Sequence, residues 1–107
     1  MLIEDFFKAL SDGTRLRILL AIQQANELCV CELTEALATT QPKISRHLAL
    51  LRDLRIVANR RQGQWIYYRF HPELPRWAKE VLAVIAKHQD QSLHLDVKRI
   101  ECLNTSE

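Results

Sequence analysis

Glycine, proline and cysteine are all scarce in this chain of 107 residues, which has two, three and three of them. So few glycines and prolines argue against a loop-rich or disordered protein, and three cysteines do not form a disulfide framework. No apolar run approaches the roughly 20 residues that span a bilayer. The N-terminal MLIEDFFKAL lacks the basic-then-apolar layout of a secretory signal. We therefore expect one soluble domain in the cytoplasm, where thiols stay reduced.

Positive charge is concentrated in the middle of the chain. The whole chain has a net charge of only +2, but residues 43–64 contain six Lys or Arg and one acid. Residues 1–42 contain three basic and six acidic residues, and residues 65–107 contain six of each. Either a solvated face or a surface that meets phosphates explains such a basic segment. The secondary structure that carries the basic residues decides between the two.

The first half of the chain has the apolar spacing of four helices. A short helix ends near Ser11, SDGTRLRILLAIQQ predicts a second, and ELCVCELTEALA predicts a short third. TTQPKISRHLALLRDL predicts the fourth, with Thr40 as its N-cap and Pro42 in the first turn, where a missing N–H costs nothing. Its apolar stripe is predicted to be buried and comprises Ile44, Leu48 and Leu51.

After residue 55 the pattern changes from helical to strand spacing. IVANRRQGQWIYYRF contains two β-type runs, around 56–60 and 64–70, with a turn at Gln62-Gly63. A broad helical stripe follows Pro72. The order α-α-α-α-β-β-α, mainly α with a small β-hairpin, predicts a winged helix-turn-helix. We expect residues 1–90 to form this DNA-binding and dimerisation domain and residues 91–107 to form a C-terminal tail.

The predicted winged helix-turn-helix assigns the basic segment to double-stranded DNA. The N-terminal residues of a helix in the major groove meet the base edges, where a glutamine suits adenine and Lys or Arg suits guanine or phosphate. His47 either reaches a phosphate or packs against the core. Basic residues of the hairpin can straddle a phosphate or enter the minor groove. The predicted DNA contacts are Thr40, Gln41, Lys43, Ser45, Arg46, His47, Arg60 and Arg61.

The apolar stripe of the last helix, residues 74–85, is wider than one small core needs, and apolar residues of the first helix can extend it. A single winged unit makes few phosphate contacts, and two units about 34–36 Å apart, one turn of DNA, bind more tightly. We therefore expect a homodimer, although the same side chains could instead fill the chain's own core. The predicted interface comprises Phe6, Phe7, Leu10, Trp77, Val81, Leu82 and Ile85.

Cys29 and Cys31 are separated by one residue at the beginning of the predicted third helix. Packing as small hydrophobes explains one of them, but residues two apart on a helix point about 200° away from each other. Thiolates bind soft ions such as As(III), Sb(III), Cu(I) and cadmium. Because a regular helix cannot place both sulfurs on one ion, we expect binding to unwind the first turn and to disfavour the shape that fits DNA.

The segments ELCVCEL, QPKISRHLALLR and RRQGQWIYYRF resemble the arsenic-responsive members of the ArsR/SmtB repressors, over about residues 4–85. The resemblance implies a homodimeric winged-helix repressor, not an enzyme, that blocks its own operon until As(III) or Sb(III) binds. It also implies a pyramidal site of three thiolates, in which Cys29 and Cys31 match the first two ligands.

The third cysteine of the family pattern is absent, because Thr34 stands in its place. We hypothesise that Cys102, in the tail, completes the site from its own subunit or from the other. The alternatives are a two-thiolate site finished by a small-molecule thiol, and Cys102 as a bystander.

Other functions remain as alternatives. A redox-sensing repressor would use Cys29 and Cys31 as thiols of lowered pKa, and a sensor of another soft ion would use them for cadmium or Cu(I). A cysteine enzyme needs a base and an oxyanion site in a pocket, which the sequence does not indicate. A zinc site on the last helix would draw on residues whose spacing does not fit the paired pattern of zinc-sensing relatives, namely His88, Asp90, His94 and Asp96.

Overall fold

Five helices and three short strands make up the computed structural model, which describes residues 1–88. The helices are α1 (Ile3–Leu10), α2 (Gly13–Ala25), α3 (Val30–Leu37), α4 (Gln41–Asp53) and α5 (Arg76–His88). The strands are β1 (Leu28–Cys29), β2 (Val57–Gln62) and β3 (Trp65–Phe70). The predicted architecture, mainly α with a β-hairpin between the fourth and fifth helices, is confirmed. The predicted tail, with Cys102, lies outside the described residues.

Helix α2 lies at the centre of the core and contacts each of the other helices as well as β1 and β3. Residues 18–22 are buried without interruption, because neighbours surround this helix on most sides. Asp12 caps its start and accepts a hydrogen bond from the backbone N–H of Arg15 at 3.0 Å. None of the helices between residues 1 and 88 is long and apolar enough to cross a membrane.

Helices α3 and α4 form the helix-turn-helix. Helix α3 ends at Ala38, whose backbone is left-handed (φ 53°, ψ 48°) and turns the chain toward α4. Thr40 occupies the N-cap position of α4 with an extended backbone, as predicted, but its side chain makes no capping hydrogen bond. Pro42 lies in the first turn, also as predicted.

The hairpin is part of a three-stranded antiparallel sheet with the order β1-β3-β2. The sequence did not predict β1, because two residues are too few to show an alternating pattern. Gln62 pairs with Trp65, so the two turn residues are Gly63 and Gln64, one position later than predicted. Gly63 has φ +61°, which glycine adopts without strain. Through β1, the segment that ends at Cys29 is hydrogen-bonded directly to the wing formed by β2 and β3.

The apolar side chains of α1 and α5 divide into a buried set and an exposed set. Phe6 and Leu82 are completely buried in the single chain, and the Phe6 ring packs edge-on against Trp77 with centroids 5.2 Å apart. These two predicted interface residues therefore belong to the core. Phe7 is 50% exposed and Val84 57% exposed. The other predicted interface residues pack partly buried against the core, namely Leu10, Trp77, Val81 and Ile85.

Candidate DNA interface and thiol site

The N-terminal half of α4 presents a row of polar side chains to solvent. Ile44, Leu48 and Leu51 are completely buried and fix the rotation of the helix. The opposite face is exposed and carries Gln41, Lys43, Ser45 and Arg46, with Thr40 exposed just before it. The structure thus brings together five of the predicted DNA contacts on one accessible surface, at the end of the helix that suits the major groove.

His47 has a different environment from these five residues. Its side chain is mostly buried, and its Nε2 lies 4.0 Å from Oδ1 of Asp12, the N-cap of α2. Burial lowers the pKa of His47, with a smaller opposing contribution from Asp12. The contact ties α4 to the start of α2, so the geometry favours the packing alternative over a phosphate contact.

The two arginines of strand β2 also differ from each other. Arg61 is exposed on β2 and has no ion pair or hydrogen bond from its side chain to the rest of residues 1–88. Arg60 donates two charge-assisted hydrogen bonds to Glu27, from Nη2 to Oε1 at 2.6 Å and from Nε to Oε2 at 2.8 Å. These bonds hold the pKa of Glu27 below its ordinary value. Of these two arginines, only Arg61 is therefore free to approach DNA without giving up a partner.

The two thiols of Cys29 and Cys31 lie side by side, with their sulfurs 3.0 Å apart. Cys29 is the N-cap of α3 and has an extended backbone (φ −88°, ψ 169°), so only Cys31 is within the helix. The backbone thus leaves the helical path at Cys29, which is the condition expected for two thiols at this spacing to meet one ion, and it does so without unwinding of the first turn. With metal–sulfur bonds of about 2.3 Å, two sulfurs bound to one ion in tetrahedral geometry lie roughly 3.8 Å apart. The observed 3.0 Å differs from this by less than about 1 Å, so a small movement places both sulfurs on one ion.

An open pocket of about 240 Å³ adjoins the two thiols. It is lined by Cys29 and Cys31, by Gln41 at the start of α4, and by Gln64 and Trp65 at the turn of the wing. Cys31 is exposed, whereas Cys29 is buried behind it. A group bound to the sulfurs therefore lies next to both of the elements that are predicted to contact DNA.

Glu32 is buried beside Cys29, with 1% of its surface exposed. Its Oε1 accepts the backbone N–H of Cys29 at 2.7 Å, and its own backbone N–H faces the sulfur of Cys29 in a capping box. Oε2 has no hydrogen-bond partner within residues 1–88. Burial raises the pKa of the Cys29 thiol, and its contacts with Cys31 and the Glu32 carboxylate raise it further.

Sequence reasoning missed Glu32, although a signal was present. A capping box has Ser or Thr at the N-cap and Glu three residues later. Cys29 and Glu32 have the same spacing, with sulfur in place of the hydroxyl oxygen. The pattern would have predicted that α3 begins after Cys29.

Replacing Glu32 with alanine is expected to destabilise the fold by about 1–3 kcal/mol, because the buried N–H of Cys29 loses its acceptor. Urea unfolding followed by circular dichroism measures this change. Glu80→Ala is the control, since Glu80 is exposed and only 3.7 Å from Arg76 in a surface ion pair, and such pairs contribute little. Equal midpoints for the two variants would contradict the capping role.

Residues 1–88 contain no group of three or more His, Cys, Asp or Glu side chains arranged to hold a metal ion. The hypothetical third thiolate, Cys102, lies outside the described residues. So do three of the four residues considered for zinc, Asp90, His94 and Asp96, while His88 ends α5.

These elements define a winged helix-turn-helix protein with a pair of thiols at the base of its DNA-binding unit. Comparison with known proteins agrees: a family described as "Bacterial regulatory protein, arsR family" matches residues 12–59. The chain is 51% identical over 94 residues to the arsenic resistance transcriptional regulator ArsR1 of Pseudomonas putida (strain KT2440), covering 88% of this chain and 73% of that protein.

Two further relatives extend the comparison. The arsenical resistance operon repressor of Escherichia coli (strain K12) is 42% identical over 102 residues, covering 95% of this chain and 87% of the repressor. The crystal structure of the AntR antimony-specific transcriptional repressor superimposes with a TM-score of 0.65 at 33% identity, covering 74% of this chain and 68% of that one. The chain therefore belongs to the ArsR family. It is a transcriptional regulator of the helix-turn-helix class, which binds DNA, and not an enzyme.

Proposed function

We propose that this protein is a homodimeric repressor that binds operator DNA in the cytoplasm and is released when As(III) or Sb(III) binds Cys29 and Cys31. One observation carries the proposal: the two sulfurs lie 3.0 Å apart in a pocket that also includes Gln41 of α4 and Trp65 of the wing. An occupant of this pocket contacts both DNA-binding elements. Binding in this pocket therefore changes the balance between the protein shape that fits DNA and the shape that does not.

The chemistry of the donor pair suits a trivalent metalloid. Sulfur is a soft ligand that favours soft ions over magnesium or calcium. Arsenite exchanges its hydroxyl groups for thiolates, and each thiol gives its proton to the departing hydroxide, which leaves as water. Cys31 is exposed and meets the incoming ion first, whereas Cys29 is buried behind it. The names of the relatives, which refer to arsenic and antimony, support the same inducers.

Cys102 is our candidate for the third ligand. Residues 1–88 offer only the two thiols, and a trivalent metalloid takes three. A small-molecule thiol in the third position remains the competing hypothesis. The two are distinguished by Cys102→Ser, which weakens arsenite binding only if this cysteine is a ligand.

The proposed DNA complex uses two copies of the chain. The exposed apolar side chains of α1 and α5, Phe7 and Val84 among them, supply a self-complementary surface. Two α4 helices then enter successive major grooves with Gln41, Lys43 and Arg46 toward the bases or phosphates. Arg61 extends the contact from the wing to the backbone.

A redox sensor has less support than a metalloid sensor. The names of the relatives refer to arsenic and antimony, and Cys29, one of the two thiols that an oxidant would have to join, is buried. Hydrogen peroxide is therefore expected to leave the operator complex intact at concentrations where arsenite dissociates it.

The decisive experiment is an operator-shift titration of the reduced protein with arsenite, antimonite, cadmium, zinc and hydrogen peroxide. Arsenite and antimonite are expected to release the DNA at the lowest concentrations, and zinc is expected to have no effect. The same titration of Cys102→Ser tests the third ligand. A complex that stays intact at arsenite concentrations that saturate the thiols would overturn the proposed function.

A further inference from the structure

Tyr67 lies between Cys29 and Arg60 in one row across the sheet. It pairs with Cys29 of β1 on one side and with Arg60 of β2 on the other. The guanidinium carbon of Arg60 is 4.8 Å from the centre of the Tyr67 ring, within the range of a cation–π contact. A continuous row of residues thus connects the thiol site to the basic strand of the wing.

Glu27 closes this row into a ring of contacts. It lies two residues before Cys29 and binds Arg60 through both carboxylate oxygens, at 2.6 and 2.8 Å. The remaining terminal nitrogen of Arg60, Nη1, donates to Oε1 of Gln62 at 2.7 Å. The guanidinium is therefore oriented by Glu27, Tyr67 and Gln62 together. Such two-pronged pairs depend strongly on the relative position of their partners.

We propose that Glu27 and Arg60 are positioning residues that transmit occupancy of the thiol site to the wing, and that Arg60 does not contact DNA phosphate. This inference rests on the proposed function. Because Glu27 and Cys29 are on one short segment, a shift of Cys29 on binding displaces the Glu27 carboxylate and the Tyr67 ring relative to Arg60. The ion pair then has two arrangements, each with its own orientation of the wing, which is the requirement for coupling between two sites.

The alternative role, a phosphate contact by Arg60, predicts a different set of mutant effects. A phosphate would have to displace Glu27, so removing the Glu27 charge would strengthen operator binding. Arg60→Lys would keep a point charge for phosphate, and Arg60→Gln would lower the slope of log K against log salt concentration by about one. A positioning role predicts that Lys and Gln at residue 60 behave alike, because neither has the arginine fork.

The test measures operator affinity with and without saturating arsenite for the wild type, Glu27→Gln, Arg60→Lys and Arg60→Gln. The ratio of the two dissociation constants is the coupling factor, which is about 5–150 in typical cases. We expect it to fall at least about fivefold in all three variants, while calorimetry shows unchanged arsenite binding to the free protein. Glu73→Gln, which removes the exposed pair with Arg55 at 3.6 Å, is the control and keeps the wild-type ratio.

Two results would overturn the inference. One is a wild-type coupling factor in Glu27→Gln and Arg60→Lys; the other is tighter operator binding by Glu27→Gln with a reduced salt slope only in Arg60→Gln. Thermal unfolding confirms that each variant is folded. If Glu27→Gln does not fold, Arg60→Lys provides the test. Failure of arsenite to release the wild type overturns the proposed function itself, whereas release with unchanged ratios overturns this inference alone.

Discussion

Serine in place of either Cys29 or Cys31 is expected to abolish release of operator DNA by arsenite and to leave operator binding intact. Each variant keeps one sulfur of the pair that lies 3.0 Å apart, so the second bond to the metalloid is no longer an intramolecular one. Loss of such a linked contact weakens binding by about 10²–10⁴-fold. The hydroxyl oxygen of serine is a hard donor and does not replace sulfur.

Neither substitution is expected to unfold the protein. Cys31 is exposed, and its replacement leaves the core unchanged. Cys29 is buried at the N-cap of α3, a position that serine favours, so the capping box with Glu32 survives. Retained operator affinity of both variants in the absence of arsenite checks this point.

Gel-shift titration with arsenite, together with calorimetry of the free protein, measures the expected effect. Glu35→Gln is the matched control, since it changes an exposed residue of the same helix without touching a sulfur. If the Cys31→Ser variant released operator DNA at the same arsenite concentration as the wild type, the assignment of the site would be contradicted. Release of the wild type by hydrogen peroxide alone would instead favour the redox sensor.

The fold was predictable where apolar spacing was long enough to reveal a period. Helices α1 to α5 and the strands of the hairpin each extend over six residues or more, which suffices to distinguish helical from strand spacing. Strand β1 has only two residues and no pattern of its own. Its existence depends on pairing with β3, about 40 residues later in the chain, and such long-range pairing is not encoded locally.

The candidate site was predictable in its residues but not in its geometry. The spacing of Cys29 and Cys31 indicated a thiol pair, but it did not show that Cys29 lies before the helix, where the two sulfurs meet without unwinding of the first turn. The bond between Arg60 and Glu27 joins residues 33 positions apart, so the sequence offered no reason to withdraw Arg60 from the predicted DNA contacts. Local sequence patterns predict which thiols and charged side chains are present, whereas the pairing of β1 with β3 determines where these side chains lie relative to one another.

Glutamate in place of Phe7 or Val84 is expected to dissociate the proposed dimer and to weaken operator binding by about 10²–10⁴-fold, the gain that two linked sites provide. Both side chains are at least half exposed in the single chain. Val84→Glu therefore leaves the core packing intact, and Phe7→Glu removes only an edge-on contact with the Phe6 ring, whose centroid is 5.5 Å away. Because the interface is two-fold, each substitution places two glutamates in it. Burying these unpaired charges costs free energy and destabilises the dimer.

Light scattering and operator binding together test this expectation. Leu50→Glu is the control for the oligomer mass, because Leu50 is also an exposed apolar residue, 41% accessible, but it lies on α4 and shares a pocket with the charged residues Asp5 and Lys8 of α1 rather than with Phe7 or Val84. A dimer that survives glutamate at both Phe7 and Val84 would contradict the proposed interface. A folded monomer that has lost operator affinity would show that the chain's own core, with Phe6 and Leu82 inside it, is stable alone and that the exposed set serves assembly on DNA.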